Sequence, residues 1–334
     1  MGESLDDEAV GTVTQAPRPA RQLLVRLLQL AVSVAILWYL FTRVPLDQVL
    51  TTLGRADLYW VATGLLLALL VQWLTALRLK ILADLHGLGL SKRQTFEINL
   101  ATRFYGSFLP GGTFTGVAVR LFKLLQIRRH VAGAVMAISF DRVLATLTML
   151  AVGISCWLAA RPSGQWIWLA LLSAALLALL LPISVLLLMG TSGLGWLRAK
   201  RVGGRLLARP LEAIRLAVDE VRAMTAADGS RVLALSLVAQ LVGLLEFVAI
   251  ARAVELEVGV LTLGWIRSAM LLVALPPVSV ADLGLREGAA IATLSDYGIG
   301  NETALAFSLL VFATSLAVGL VGGVLEGWRW LSAR

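Results

Sequence analysis

The sequence predicts an all-α polytopic membrane protein, with six full spans plus two broken, re-entrant helical hairpins arranged as an inverted repeat. Three observations lead there. Hydrophobic residues make up 58% of the 334 and charged residues only 15%, whereas a soluble domain sits near about 45–50% and 25%. Runs such as 23–41 and 166–189 match a hydrocarbon core of about 30 Å, which takes roughly 20 helical residues. Two further apolar stretches, 95–127 and 262–298, are interrupted by proline and glycine. A soluble enzyme, a secreted disulfide scaffold and a disordered chain are excluded.

Taken in order, residues 1–20 are polar and carry Glu3, Asp6, Asp7 and Glu8. A signal peptide would start basic, so this is read as a disordered cytoplasmic tail, and 21–334 as a single transmembrane domain. Complete spans are expected at 22–42, 58–79, 131–160, 166–189, 232–253 and 303–328. The first broken stretch is interrupted at Pro110, Gly111 and Gly112, the second at Pro276 and Pro277 and again at Gly284. Proline inside a helix ends or kinks it. Backbone freed at membrane depth survives only inside protein or beside a water-filled cavity, and in transporters such breaks mark binding sites.

The net charge of +8 serves here as a guide to topology rather than a sign of nucleic acid, because cytoplasmic loops collect Lys and Arg. With both termini cytoplasmic and the two hairpins dipping from opposite faces, the largest basic cluster, 198–231, falls inside, as expected for the cytoplasmic membrane. Within it, Leu207, Leu211, Ile214, Val218 and Val221 share one helical face. An interfacial helix and a solvated linker helix both fit. Ser315, Gly319, Gly323 and Gly327 recur every four residues in the last span. Such a stripe lets helices approach closely, either within one subunit or as the seam of a homo-oligomer. The ten tryptophans lie mostly near span ends, as an interfacial aromatic belt would.

The one cysteine, Cys156, lies in an apolar run, and His86 and His130 sit at loop edges. No disulfide, metal site or cofactor is expected. No nucleotide loop, paired-carboxylate pattern or Ser-His-Asp set is present either, so an enzyme is not the first reading.

The two breaks echo each other: ten residues separate Pro110 from Arg120 and Pro276 from Arg286. The motif series Phe108, Leu109, Pro110, Gly111, Gly112 through Arg120, then Asp141 and Arg142, then Leu275 and Pro276 through Gly284, Leu285, Arg286, Glu287 and Gly288 resembles the lysylphosphatidylglycerol synthase transmembrane, flippase-like family. The Gly-Leu-Arg-Glu-Gly block carries most of that resemblance, which covers roughly 20–330. Thr115–Val119 and Ala281–Asp282 depart from its pattern. The resemblance implies a lipid-translocating protein of the cytoplasmic membrane. Its implied substrates are aminoacylated phosphatidylglycerol, polyprenyl- or dolichyl-linked sugars, or hopanoid-type lipids. It also implies a separate lipid-synthesising enzyme as partner. The soluble aminoacyl-transferase domain of the lysyl-transferring members is not expected in this chain.

A lipid translocator must carry a polar, usually anionic headgroup past hydrocarbon. Half-helices starting near Gly112 and Leu283 would offer N–H groups to phosphate, with Gly111, Gly112 and Gly284 permitting the close approach. Arg120 and Arg286, expected about eight residues and roughly 12 Å along these half-helices, either bind phosphate or pair with carboxylates. Asp141 and Arg142 lie about 15 Å into a span. Insertion scales place the cost of such charges at about 2.5–3.5 kcal/mol, so they need a cavity or a partner. Asp141 is expected to pair with Arg120 or Arg286, and Arg142 with Glu287 or Glu246. Glu246, mid-span, either couples protons or a cationic headgroup to transport, or is a buried ion-pair partner. Arg103 faces either the same cavity or the interface. The leading expectation is thus a lipid translocase. A membrane enzyme acting on a lipid-phosphate and a small-solute channel are the alternatives.

Overall fold

A computed structural model describes residues 46–109, 112–162, 166–180, 224–275 and 284–332. The expected first span, all but the last two residues of the helix expected at 205–225, Pro110, Gly111, Pro276 and Pro277 lie outside these residues. So does the end of the expected 166–189 span.

Among the described residues the elements are helices. They are α1 (Leu46–Gly54), α2 (Leu58–Leu85), α3 (Lys92–Phe108), α4 (Gly112–Ile127), α5 (Val131–Ala160) and α6 (Trp166–Leu180). There follow α7 (Ala226–Ala253), α8 (Val260–Val273), α9 (Leu285–Leu294), a 3-10 turn at Ser295–Tyr297 and α10 (Asn301–Ser332). Four of these helices, α2, most of α5, α7 and α10, are long and apolar enough to cross a membrane. They correspond to four of the six expected spans.

α2 runs past its expected end at 79 to Leu85. Apolarity stops near there, but Lys80 and Asp84 pair across one turn and extend the helix. Arg78, at the end of the expected 58–79 span, is therefore well inside the helix and only 3% exposed. Asp57 caps the start of α2, accepting from the Tyr59 N–H. The Asp57 N–H in turn donates to the Ala253 carbonyl at the end of α7. At the other end of α2, Arg78 reaches Ser236 near the start of α7. The two helices are thus antiparallel along their length.

The first break produces a hairpin rather than a kinked span. A Cβ on Gly116 of α4 would stand 3.0 Å from the Thr102 carbonyl oxygen and 3.6 Å from Gly106 Cα of α3. Only a glycine lets the two backbones lie this close. Ser91 and Gln94 form a capping box at the start of α3. The hairpin lies along α10, where Gly319 and Gly323 face Phe104 and Gly322 faces Leu100. Most of the expected small-residue stripe therefore packs within the chain, although nothing lies within 4 Å of a Cβ at Gly327.

α8 is buried from Leu263 to Met270, within a core that includes Trp265, Ile266, Phe247 and Phe307. It crosses α5 closely at small side chains: Gly153 faces Ser268 and Gly264 faces Cys156. Ser268 Oγ donates to the Met149 carbonyl at 3.1 Å. Trp265 near the start of α8 meets the Tyr297 ring just after α9, so α9 runs back along α8. The α3–α4 hairpin opens at the end of the bundle where α2 finishes, and α8–α9 opens at the end where α7 finishes. The two enter the bundle from opposite ends and meet near mid-height.

Candidate functional site

Where the hairpins meet, a cavity of about 280 Å³ opens between α2, α3, α4, α5, α9 and α10. Each element sends in polar groups that its apolar context would otherwise forbid. α2 contributes Gln72, Thr75 and Arg78. The first hairpin contributes Asn99, Thr102, Arg103 and Arg120, with Gly106 and Gly116 leaving room at its backbone. Asp141 and Arg142 enter from α5, Arg286 from α9, and Phe312 and Ser315 from α10.

Asp141 organises one wall. Its Oδ1 accepts from Arg78 Nε at 2.7 Å, and its Oδ2 from Arg120 Nη1 at 2.9 Å. All three side chains are buried, at 3%, 7% and 4% exposure for Arg78, Arg120 and Asp141. Arg78 Nη1 continues to Ser236 Oγ at 3.2 Å, and Arg120 Nη2 to Asn99 Oδ1 at 2.7 Å. One carboxylate thus ties together α2, α4 and α5, with α3 and α7 held through Asn99 and Ser236. Of the two partners expected for Asp141, Arg120 is found and Arg286 is not. Arg78 and Asn99 were not anticipated. The available signal was an arginine within one turn of an apolar run and an asparagine inside the first broken stretch.

Arg286 and Glu287 form the second wall. Arg286 is the second residue of α9, not eight residues along it. Gly284, at φ +89°, turns the chain immediately before the helix, a conformation that favours glycine. The Gly284 N–H donates to Glu287 Oε2 at 2.7 Å, so the helix caps itself with its own carboxylate. Glu287 Oε1 accepts from Arg286 Nη2 at 2.9 Å and from Ser308 Oγ at 3.3 Å. The expected open α9 terminus is thus occupied by Glu287. The Arg286 guanidinium also lies 5.1 Å from the Phe312 ring centroid.

Arg142 lines the cavity, is exposed, and pairs with neither Glu287 nor Glu246. It has no ion-pair partner among the described residues. Arg103 lines the cavity as well and donates from Nη2 to Ser315 Oγ at 2.8 Å. Glu246 is half-buried on α7 and outside the lining. Gly112 is the first residue of α4, and Gly111 lies outside the described residues. The structure therefore brings together Arg103, Arg120, Asp141, Arg142 and Arg286, and sets Glu287 behind Arg286.

A further arginine, Arg267 of α8, was also missed. It is buried at 9% exposure. It donates from Nη1 to Gln240 Oε1 at 2.8 Å, and Gln240 Nε2 donates to the Ala145 carbonyl at 3.0 Å. Its guanidinium lies over the Phe247 ring and across Gly243, where a Cβ would collide with it.

Chemically, five arginines and one aspartate line a mid-bundle cavity. Arg120 Nε and Arg286 Nε are buried donors without a hydrogen-bond acceptor among the described residues. Unsatisfied buried donors cost about 1–3 kcal/mol each, and guanidiniums pair well with phosphate and carboxylate oxygens. The arrangement is suited to an anion.

No curated protein and no solved structure matches the chain. The family model described as lysylphosphatidylglycerol synthase TM region matches residues 26–323. That match takes in both hairpins and the whole arginine-lined cavity, and the chain belongs to this family of lipid-related membrane proteins.

Proposed function

We propose that the chain is a lipid translocase. An anionic headgroup enters the arginine-lined cavity while the acyl or prenyl tails stay in the bilayer. The observation that carries this reading is the excess of guanidinium at mid-height, where two interrupted helices meet from opposite ends. Uncompensated charge at that depth is costly, and an anionic headgroup removes the cost. In this reading both hairpins are re-entrant, the two halves are related as an inverted repeat, and alternating exposure of the cavity moves the headgroup between leaflets. The basic 198–231 segment and both termini lie on the cytoplasmic side of the cytoplasmic membrane. A separate enzyme makes the lipid. Transport rather than lipid chemistry is favoured because both oxygens of the lining carboxylate are engaged by arginines, which leaves it poorly placed to act as a base.

The test is movement of labelled anionic lipid across reconstituted vesicles. The wild-type chain should exceed protein-free vesicles, and Arg286→Ala should fall towards them. Wild-type rates equal to those of empty vesicles, across phosphatidic acid, phosphatidylglycerol and polyprenyl phosphate, would sink the proposal.

A further inference from the structure

We infer that the cavity selects a phosphate headgroup carrying at least two negative charges, a phosphomonoester or diphosphate, and rejects aminoacylated, cationic headgroups. This rests on the translocase reading and narrows its substrate class.

The charge tally comes first. Among the described residues, Arg78, Arg103, Arg120, Arg142 and Arg286 line the cavity against one carboxylate, Asp141. Behind the wall stand Glu287, which pairs with Arg286, and Glu246, which feels the charges of Arg267 and Arg103. With Arg267 included, six guanidiniums stand against three carboxylates among the described residues. Arginine does not shed its proton in proteins, so the excess persists at any physiological pH. A phosphodiester headgroup with one negative charge leaves most of that excess in place. A phosphomonoester or diphosphate removes two charges or more.

The second observation concerns acceptors. A cationic headgroup needs an available carboxylate, and the described residues of the wall offer none. Asp141 gives one oxygen to Arg78 and the other to Arg120. Glu287 gives Oε2 to the Gly284 N–H, and Oε1 to Arg286 and Ser308. An incoming ammonium would meet five guanidiniums and, among the described lining residues, no carboxylate oxygen that is not already hydrogen-bonded.

The third observation concerns donors. Among the described residues, Arg120 and Arg286, at 7% and 8% exposure, each keep a buried Nε–H without an acceptor, and Arg142 adds a guanidinium with no ion-pair partner. Terminal phosphate oxygens, three on a monoester against two on a diester, supply the missing acceptors. Free phosphate shares this chemistry with a lipid headgroup, so the experiment must separate the two sources.

The test is binding to the full chain in detergent by calorimetric titration. The probes are phosphatidic acid, phosphatidylglycerol, lysyl-phosphatidylglycerol and inorganic phosphate. Phosphatidic acid should bind at least tenfold more tightly than phosphatidylglycerol, about 1.4 kcal/mol. Inorganic phosphate should bind more weakly than phosphatidic acid, and lysyl-phosphatidylglycerol should not compete. Arg142→Gln, which breaks no ion pair, should keep the wild-type melting temperature and lose most of the tenfold preference. Comparable binding of phosphatidylglycerol, any competition by lysyl-phosphatidylglycerol, or an undiminished preference in Arg142→Gln overturns the charge assignment and leaves translocation standing. Inorganic phosphate matching phosphatidic acid keeps the anion chemistry and overturns the lipid reading. Binding by none of the four overturns both.

Discussion

Asp141→Asn removes one charge and almost no volume, and its effect follows from the wall it organises. In the wild type, two buried guanidiniums share this carboxylate, one on each oxygen, at 2.7 and 2.9 Å. An asparagine keeps one acceptor oxygen but turns an N–H₂ towards one of the two arginines. One charge-assisted hydrogen bond is lost, a donor faces a donor, and two cations remain without a counter-charge. Removing one partner of a buried pair costs about 3–5 kcal/mol. At roughly 2 °C per kcal/mol, the lower end for larger domains, the apparent melting temperature should fall by about 6–10 °C. The assay is tryptophan fluorescence of the purified chain during heating. A second substitution, Arg78→Met, restores the original local charge, so the double variant should regain part of the loss. The coupling should be within the range of about 0.5–3 kcal/mol seen for contacting residues. Phosphatidic acid should also stabilise Asp141→Asn more than it stabilises the wild type, because the uncovered cations attract an anion. A melting temperature within about 1 °C of wild type, or a double variant no better than the single, would refute the view that Asp141 holds this wall together.

Three other substitutions probe separate features. Glu287→Gln keeps an acceptor for the Gly284 N–H but strips Arg286 of its counter-ion; a loss of about 3 kcal/mol or more is expected, read as an earlier thermal transition in detergent. Gly116→Val places methyl groups where the Thr102 carbonyl stands 3.0 Å from even a Cβ; it should prise α3 from α4 and reduce folded yield by size-exclusion chromatography, whereas Gly298→Ala, with open space around its Cβ, should cost about 1 kcal/mol for its positive φ. Lys123 and Glu326 pair at 2.7 Å with both side chains partly exposed, so Glu326→Gln should change stability by less than about 1 kcal/mol, visible as a shift of at most a degree or two.

Much of this architecture was legible in the sequence because apolar length and proline–glycine punctuation are strong local signals. The hairpin at Pro110–Gly112 and the placement of Arg120 and Asp141 in one site followed from them. Other parts depend on contacts that periodicity does not report. Arg78 reads as a cytoplasmic-side cation at the end of a span because the apolar run stops beside it. Only the continuation of α2 to Leu85 turns the side chain inward. Arg286 lies at the start of its half-helix and not at the depth expected for it, because α9 begins immediately after the positive-φ Gly284. Arg267 was missed although it sits inside an apolar stretch, where a charge is a signal in itself. Its neutral partners, Gln240 and the Phe247 ring over Gly243, give no such signal. Arg142 was assigned a carboxylate on the rule that buried cations pair, and the structure leaves it facing the cavity instead.

Glu287 has one more consequence. Because it neutralises Arg286 from the adjacent position and caps the same helix, α9 carries its arginine and that arginine's counter-ion together. A displacement of α9 along the membrane normal would move no net charge through the transmembrane potential, where each elementary charge is worth about 2.3 kcal/mol per 100 mV. The Asp141 wall differs, since its two cations and one anion are spread over three helices. Any voltage dependence of the cycle would therefore come from the cargo and from charges outside α9, that wall and Arg267 of α8 among them, while α9 would move as an electrically silent part.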